Sequence, residues 1–131
     1  MGEAHHLSHE ERSTLILTAR KALDDEGLSN VPIVAGCGAG STREVVQLCL
    51  EAADAGADAV IVIASGYYAG VLAGNKPALK AYWTEVAEKS PLPVMIYNCP
   101  FFYSSSSLEG VCLLPVGGFV SRPWCIWRYR P

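Results

Sequence analysis

The chain has no apolar run near the roughly 20 residues that a membrane-spanning helix requires. It also has no C-x-x-C pair among its cysteines, Cys37, Cys49, Cys99, Cys112 and Cys125. An odd number at scattered positions argues against a disulfide framework or a zinc site and for free thiols in a reducing compartment. There is no basic excess either. With 10 Lys and Arg against 13 Asp and Glu, the net charge of −3 offers nothing to draw nucleic acid or an anionic membrane surface. Met1-Gly2-Glu3-Ala4-His5-His6 lacks the basic-then-apolar pattern of a secretory signal, and His6 stands where myristoylation would need Ser or Thr. A cytoplasmic protein is expected, with a mitochondrial location left open. Lysine is scarce and stops early, with Lys21, Lys76, Lys80 and Lys89 the full set. Charge nearly vanishes beyond Pro100, where only Glu109, Arg122, Arg128 and Arg130 carry it.

What is present is an alternating rhythm. Ser8-His9-Glu10-Glu11 has capping-box spacing, and Leu15, Ile16, Ala19, Ala22 and Leu23 recur at helical steps, so a helix over about 8–27 with one buried face is expected. Gly27 is its natural left-handed cap. Val31 to Ala35 reads as a short strand with Pro32 near its start. A second capping box, Ser41-Thr42-Arg43-Glu44, opens a helix to about Ala55 with an apolar stripe of Val45, Val46, Leu48, Cys49, Ala52 and Ala53. The branched run Asp58 to Ala64 reads as a parallel strand covered on both faces. A loop rich in Gly, Ala and Tyr leads to a helix over about 76–89, with Pro77 in its first turn. Pro91-Leu92-Pro93 then forces an extended entry into a strand ending at Asn98. Strands near 31–35, 58–64 and 93–98 alternating with helices mean an α/β fold built from right-handed parallel βαβ units. At 131 residues the chain is about half of a closed (β/α)8 barrel, which takes about 250 residues.

Three strand-to-loop junctions carry distinctive residues: Gly36-Cys37-Gly38-Ala39-Gly40-Ser41, Ser65-Gly66-Tyr67-Tyr68, and Tyr97-Asn98-Cys99-Pro100. The carboxyl ends of parallel strands are where α/β folds do chemistry. Gly36-x-Gly38-x-x-Ser41 mimics a dinucleotide fingerprint, but that reading needs an acidic residue ending the next strand, and Ala64-Ser65 stands there. His5, His6 and His9 could suggest a metal site. Ser8 as N-cap leaves His5 outside the helix, no further ligand is near, and solvated terminal histidines are expected instead. The four lysines fall on helices and read as solvated charge.

In combination, A-G-C-G-A-G-S-T-R-E, D-A-G-A-D-A-V-I-V-I before G-Y-Y, and P-V-M-I-Y-N-C-P resemble the dihydrodipicolinate synthase and N-acetylneuraminate lyase family, which includes 4-hydroxy-2-oxoglutarate aldolase. The resemblance covers about residues 2–100. It implies a partial (β/α)8 TIM barrel from a class I aldolase or lyase, in which a lysine amine forms a Schiff base with a pyruvate-like 2-oxo acid. It implies no separate cofactor, no nucleic-acid or membrane partner, and a homo-oligomer. Tyr97 matches the proton-shuttling tyrosine of the family's Y-N-x-P motif. Tyr68 matches the second tyrosine of the Y-Y pair, which reaches a neighbouring subunit's site. Gly2 and Glu3 match the end of a G-x-x-G-E motif at the substrate site. A phenol with a pKa near 10 suits handing protons along a chain. The Schiff-base lysine, which the resemblance puts about two strands beyond Tyr97, has no counterpart, so this chain is expected to be inactive alone. The alternative is a catalytically dead fragment that associates with full-length subunits. Residues 1–100 are expected to form the barrel portion, and 101–131 a divergent tail without native structure.

Overall fold

The computed structural model describes residues 3–72 and 74–97. Gly2, Asn98 and the expected tail over 101–131 lie outside them. A 3-10 turn, Ala4–His6, leads into α1 (His9–Asp25), β1 (Val34–Gly36), α2 (Thr42–Asp54), β2 (Ala59–Val62), α3 (Ala69–Leu72), α4 (Lys76–Lys89) and β3 (Val94–Ile96). The strands form one parallel sheet in the order β1-β2-β3. Sequential parallel neighbours joined by helices are the repeat of a barrel wall.

Local chemistry sets the element ends. Ser8 and Glu11 close the capping box at α1, Ser41 accepts the Glu44 amide at α2, and Asn75 accepts the Ala78 amide at α4. Both α1 and α2 end in the same reversal. Gly27 (φ +72°) and Gly56 (φ +89°) turn left-handed, and the next amides, of Leu28 and Ala57, bond back to Leu23 and Ala52.

The strands are shorter than the apolar runs suggest. β1 begins at Val34, not Val31, because Val31 turns back onto Leu28, Pro32 has no amide hydrogen, and the Ile33 amide goes to the Asp58 carboxylate at 2.7 Å. β2 stops at Val62 rather than Ala64, where the Ile63 carbonyl accepts the Tyr82 hydroxyl instead of a ladder amide. β3 spans 94–96 within the expected 93–98. The short helix α3 carries no periodic pattern and was not expected.

One face of the sheet is covered. Ala35, Val60, Val62 and Ile96 meet Val45, Leu48, Cys49 and Ala52 of α2 and Leu79, Trp83 and Val86 of α4, all buried. The opposite face, expected to be covered, is open among the described residues. There Val34 and Tyr97 are exposed and Ile61 and Met95 half-buried. The expected buried face of α1 is also corrected. No α1 residue is buried; of the expected stripe, Leu15, Ala19 and Ala22 are exposed, and only Ile16 and Leu23 are partly covered. Polar contacts help hold this helix. The Arg20 guanidinium donates to Gly56 O at 3.2 and 3.3 Å and pairs with Asp58. Backbone donation from Ile33, then the Arg20 pairing, holds the Asp58 carboxyl below the usual range.

Candidate active site

The sheet register assembles the site in rows. Gly36, Ile61 and Met95 are mutual partners on the open face. Side chains on one face recur every second residue, so the next row toward the carboxyl end holds Gly38, Ile63 and Tyr97. Two observations fix that row. The Tyr97 amide donates to Val62 O at 2.8 Å, and a Cβ placed on Gly38 would lie 2.6 Å from Ile63 Cγ2. Glycine at 38 lets the turn after β1 press onto Ile63. Tyr97 thus stands at the carboxyl edge of the open face, 47% exposed, with its backbone held by β2.

Tyr68 lies on the loop after β2, three residues beyond the buried Ala64 and Ser65 pair's second member, and stacks edge-to-face with Tyr67 at 4.9 Å between ring centres. Tyr67 is 88% exposed and Tyr68 53%. No hydrogen bond joins the Tyr68 or Tyr97 hydroxyl to another described residue, so the structure does not link the two phenols directly. Glu3 takes a left-handed backbone (φ +52°), and its carboxylate lies 3.8 Å from His6 Nε2. No hydrogen bond or ion pair connects it to Tyr97 or Tyr68. Gly2 lies outside the described residues.

His9 corrects the expectation of a solvated terminal histidine. Its Nδ1 lies 2.6 Å from Glu51 Oε2 and its Nε2 2.8 Å from Glu44 Oε1, bridging α1 to α2. Only an imidazolium donates at both nitrogens. The Glu51 contact, then the Glu44 contact, raises the His9 pKa above 6.5. Glu44 and Glu51, seven residues apart, stand two turns apart on one helix face, a spacing that marks a shared partner. Nothing in the spacing pointed to His9 as that partner.

The lysines are exposed on helices. Lys21 pairs with Asp25 at 2.6 Å and Lys89 with Glu85 at 2.7 Å, while Lys76 and Lys80 lie on α4. None is on a strand.

A sequence profile of the dihydrodipicolinate synthetase family matches residues 1–109. The chain belongs to that family. It is 44% identical over 99 residues, 76% of its length, to an Emericella nidulans protein named "Probable 4-hydroxy-2-oxoglutarate aldolase, mitochondrial", of which it covers 31%. It is 41% identical over 99 residues to an L-threo-3-deoxy-hexylosonate aldolase of Aspergillus niger, covering 76% of this chain and 29% of that one. The crystal structure of a chloride-inhibited dihydrodipicolinate synthase from Acinetobacter baumannii complexed with pyruvate superposes with a TM-score of 0.66 at 33% identity. That match covers 78% of this chain and 32% of the synthase. The chain therefore spans about a third of the length of these family members, and its open sheet is a partial barrel. No helix among the described residues is long and apolar enough to cross a membrane.

Proposed function

We propose that this chain carries the proton-relay portion of a Schiff-base aldolase or lyase acting on pyruvate-like 2-oxo acids, and that a polypeptide of these 131 residues alone does not turn substrate over. The observation carrying this reading is the position of Tyr97. Its strand ends on the open face beside Ile63 and Gly38, at the carboxyl edge where a barrel's reacting atoms sit. There the phenol hands a proton to or from the keto acid as the Schiff base forms and breaks, and Tyr68, on the next loop, extends the relay between copies of a homo-oligomer. The family's G-x-x-G-E motif, which Gly2 and Glu3 match, assigns these two residues to substrate binding. The missing part is the amine. Every lysine of the chain is on an exposed helix surface, away from the carboxyl edge of the strands where a Schiff-base amine is needed.

The pyruvate in the Acinetobacter complex and the 2-oxo-acid aldolase names of the fungal relatives support the substrate class. Scattered cysteines without C-x-x-C spacing fit the cytosol, or the mitochondrion that the Emericella protein's name gives for that protein. The test is incubation with pyruvate and borohydride followed by peptide mass mapping. No site-specific reduced adduct is expected, and a stoichiometric adduct on one lysine refutes the reading. A second reading, association with full-length subunits, draws on the edges of β1 and β3, each of which has one strand neighbour among the described residues. Co-purification of a tagged chain with a full-length homologue tests it.

A further inference from the structure

Backbone groups along a strand point alternately to its two sides. In β1 the Ile33 carbonyl and the Cys37 amide bond to β2, which leaves the groups of Val34 and Gly36 facing the free edge. In β3 the Pro93 carbonyl and the Tyr97 amide bond to β2, which leaves those of Val94 and Ile96 facing the opposite edge. Neither strand, Val34-Ala35-Gly36 or Val94-Met95-Ile96, holds a charge or a proline that would discourage pairing. The helices show where a further strand fits. α2 crosses over from β1 to β2 and α4 from β2 to β3, whereas α1 leads into β1 with no strand on its far side among the described residues. A groove of about 340 Å³ lies there, with Leu15, Ile16 and Ala19 of α1 on one side and Val34 and Ala35 of β1 on the other. It is a largely apolar channel beside an unpaired strand.

We propose that this groove receives β3 of a second copy of the 131-residue chain, which adds parallel to β1 and continues the sheet from one chain into the next. The register follows from the free groups. With Met95 of the second copy opposite Gly36, the Gly36 amide donates to the Val94 carbonyl and the Gly36 carbonyl accepts the Ile96 amide, the phase that already joins β1 to β2 and β2 to β3. The faces agree as well. Met95 and Gly36 both belong to the open face, while Val94 and Ile96 of the second copy come beside Ala35 and Cys37, beneath α1. The approach is unobstructed at its centre, because a Cβ placed on Gly36 meets nothing within 4 Å. The helices favour a second copy over an unrelated strand. α4 of the second copy lies beside α1 and runs the same way. Lys76, Lys80 and Thr84 stand on the side of α4 that a right-handed crossover turns toward the β3 edge, and the exposed Glu11, Leu15 and Ala22 on the side of α1 turned away from α2. The two lysines therefore meet Glu11 where both helices begin. Tyr97 of the second copy comes beside Gly38, so the row of Gly38, Ile63 and Tyr97 continues across the junction. The joined surfaces differ, so the contact is head-to-tail and either closes into a ring or extends. It rests on the sheet edges and not on the relay.

Two proline variants of the full chain test the junction by light scattering after gel filtration. Gly36→Pro removes the outward amide of β1 and Val94→Pro that of β3, and both keep every bond to β2. The unsubstituted chain is expected to associate, and each variant alone to run as a monomer. An equal mixture of the two variants should form dimers, because β3 of the Gly36→Pro copy still fits β1 of the Val94→Pro copy. Far-UV circular dichroism checks that the variants fold. Hydrogen exchange on the unsubstituted chain tests the junction without any substitution. The Gly36 and Ile96 amides should be protected in concentrated samples and lose that protection on dilution, while the Cys37 and Tyr97 amides, bonded within one sheet, should not change. A monomeric unsubstituted chain overturns the proposal, and protection of Gly36 in that monomer would assign the groove to a segment of the same chain. Association undiminished in both variants, a mixture that stays monomeric, or Gly36 and Ile96 exchange independent of concentration would each overturn it too.

Discussion

Replacing Gly38 with alanine is a sharp test of the row that places Tyr97. The added Cβ would lie 2.6 Å from Ile63 Cγ2, 3.5 Å from Ile63 N and 3.7 Å from Ile63 Cβ. Carbon pairs sit best at about 3.5–4.0 Å, so the turn and Ile63 must separate by roughly 1 Å. Neither yields easily. Ile63 is β-branched and stiff at χ1, and its carbonyl is held by the Tyr82 hydroxyl at 3.3 Å. Overpacking of this kind costs about 1–3 kcal/mol. Gly36 is the built-in control, because a Cβ there meets nothing within 4 Å. Gly36→Ala should be neutral or stabilise by up to about 1 kcal/mol through the unfolded chain. Urea unfolding followed by far-UV circular dichroism reads both, as shifts in midpoint at constant slope. Combining Gly38→Ala with Ile63→Ala removes the clashing methyl, and a coupling of about 0.5–3 kcal/mol should appear in the double-mutant cycle. A Gly38→Ala midpoint equal to that of Gly36→Ala, or the same Gly38→Ala penalty in the Ile63→Ala background, would refute the packing and with it the row.

Leu79→Ala should destabilise by about 2–5 kcal/mol in the same assay, because Leu79 is fully enclosed where α4 meets the sheet. Stability should depend on pH through His9. Its folded pKa is raised above 6.5, so the bridge to Glu44 and Glu51 acts fully below pH 6.5 and is lost as pH rises through the folded value. His9→Gln should flatten that slope, and an NMR titration midpoint at or below 6.5 would contradict the bridge. The lowered Asp58 pKa acts in the other sense. Its contribution is present above 3.8 and disappears on acidification through the folded value, so Asp58→Asn should reduce acid sensitivity. Once residues 1–97 are joined to the remainder of a related barrel, Tyr97→Phe should cut turnover about 10²–10⁴-fold with little change in melting temperature. Tyr67→Phe should cost less than Tyr68→Phe, and the reverse order in steady-state assays would reassign the relay.

Most of the wall was legible because its signals are local. The capping box at Ser8, the single side-chain cap at Ser41 (the expected reciprocal bond to the Glu44 carboxylate does not form), glycines at 27 and 56, and prolines at 77, 91 and 93 act within a few residues, and the helix bounds follow from them. The strand ends were less legible, because an apolar run does not say which amides reach a neighbour. Ile33 looks like strand, yet its amide serves the Asp58 side chain. Long-range polar partners were illegible for the same reason. His9 with Glu44 and Glu51, and Arg20 with Asp58, are joined only once two βα units have stacked. At the site, Tyr97 could be placed on a strand end from its apolar approach. The need for glycine at 38 could not, because the atom it avoids belongs to a different strand.

On the reading proposed for Tyr97, the two faces of the sheet separate stability from chemistry. The covered face is built from Val60, Val62, Ile96, Leu79, Trp83 and Val86, apolar side chains whose burial supplies the driving force for folding. The open face presents Val34, Gly36, Gly38, Ile61, Ile63, Met95 and Tyr97, a mixture of small, branched and phenolic groups that buries little among the described residues. Because side chains alternate, one residue of slip in β3 would send Tyr97 into the α4 layer and Ile96 onto the open face. The Pro93 carbonyl, accepting the Val60 amide at 3.0 Å, and the Tyr97 amide, donating to Val62 at 2.8 Å, pin that register at both ends of the strand. The bonds that hold β3 in the sheet are therefore also the bonds that aim Tyr97, and a substitution that loosens the strand should degrade both folding and, in a completed barrel, the relay proposed for Tyr97.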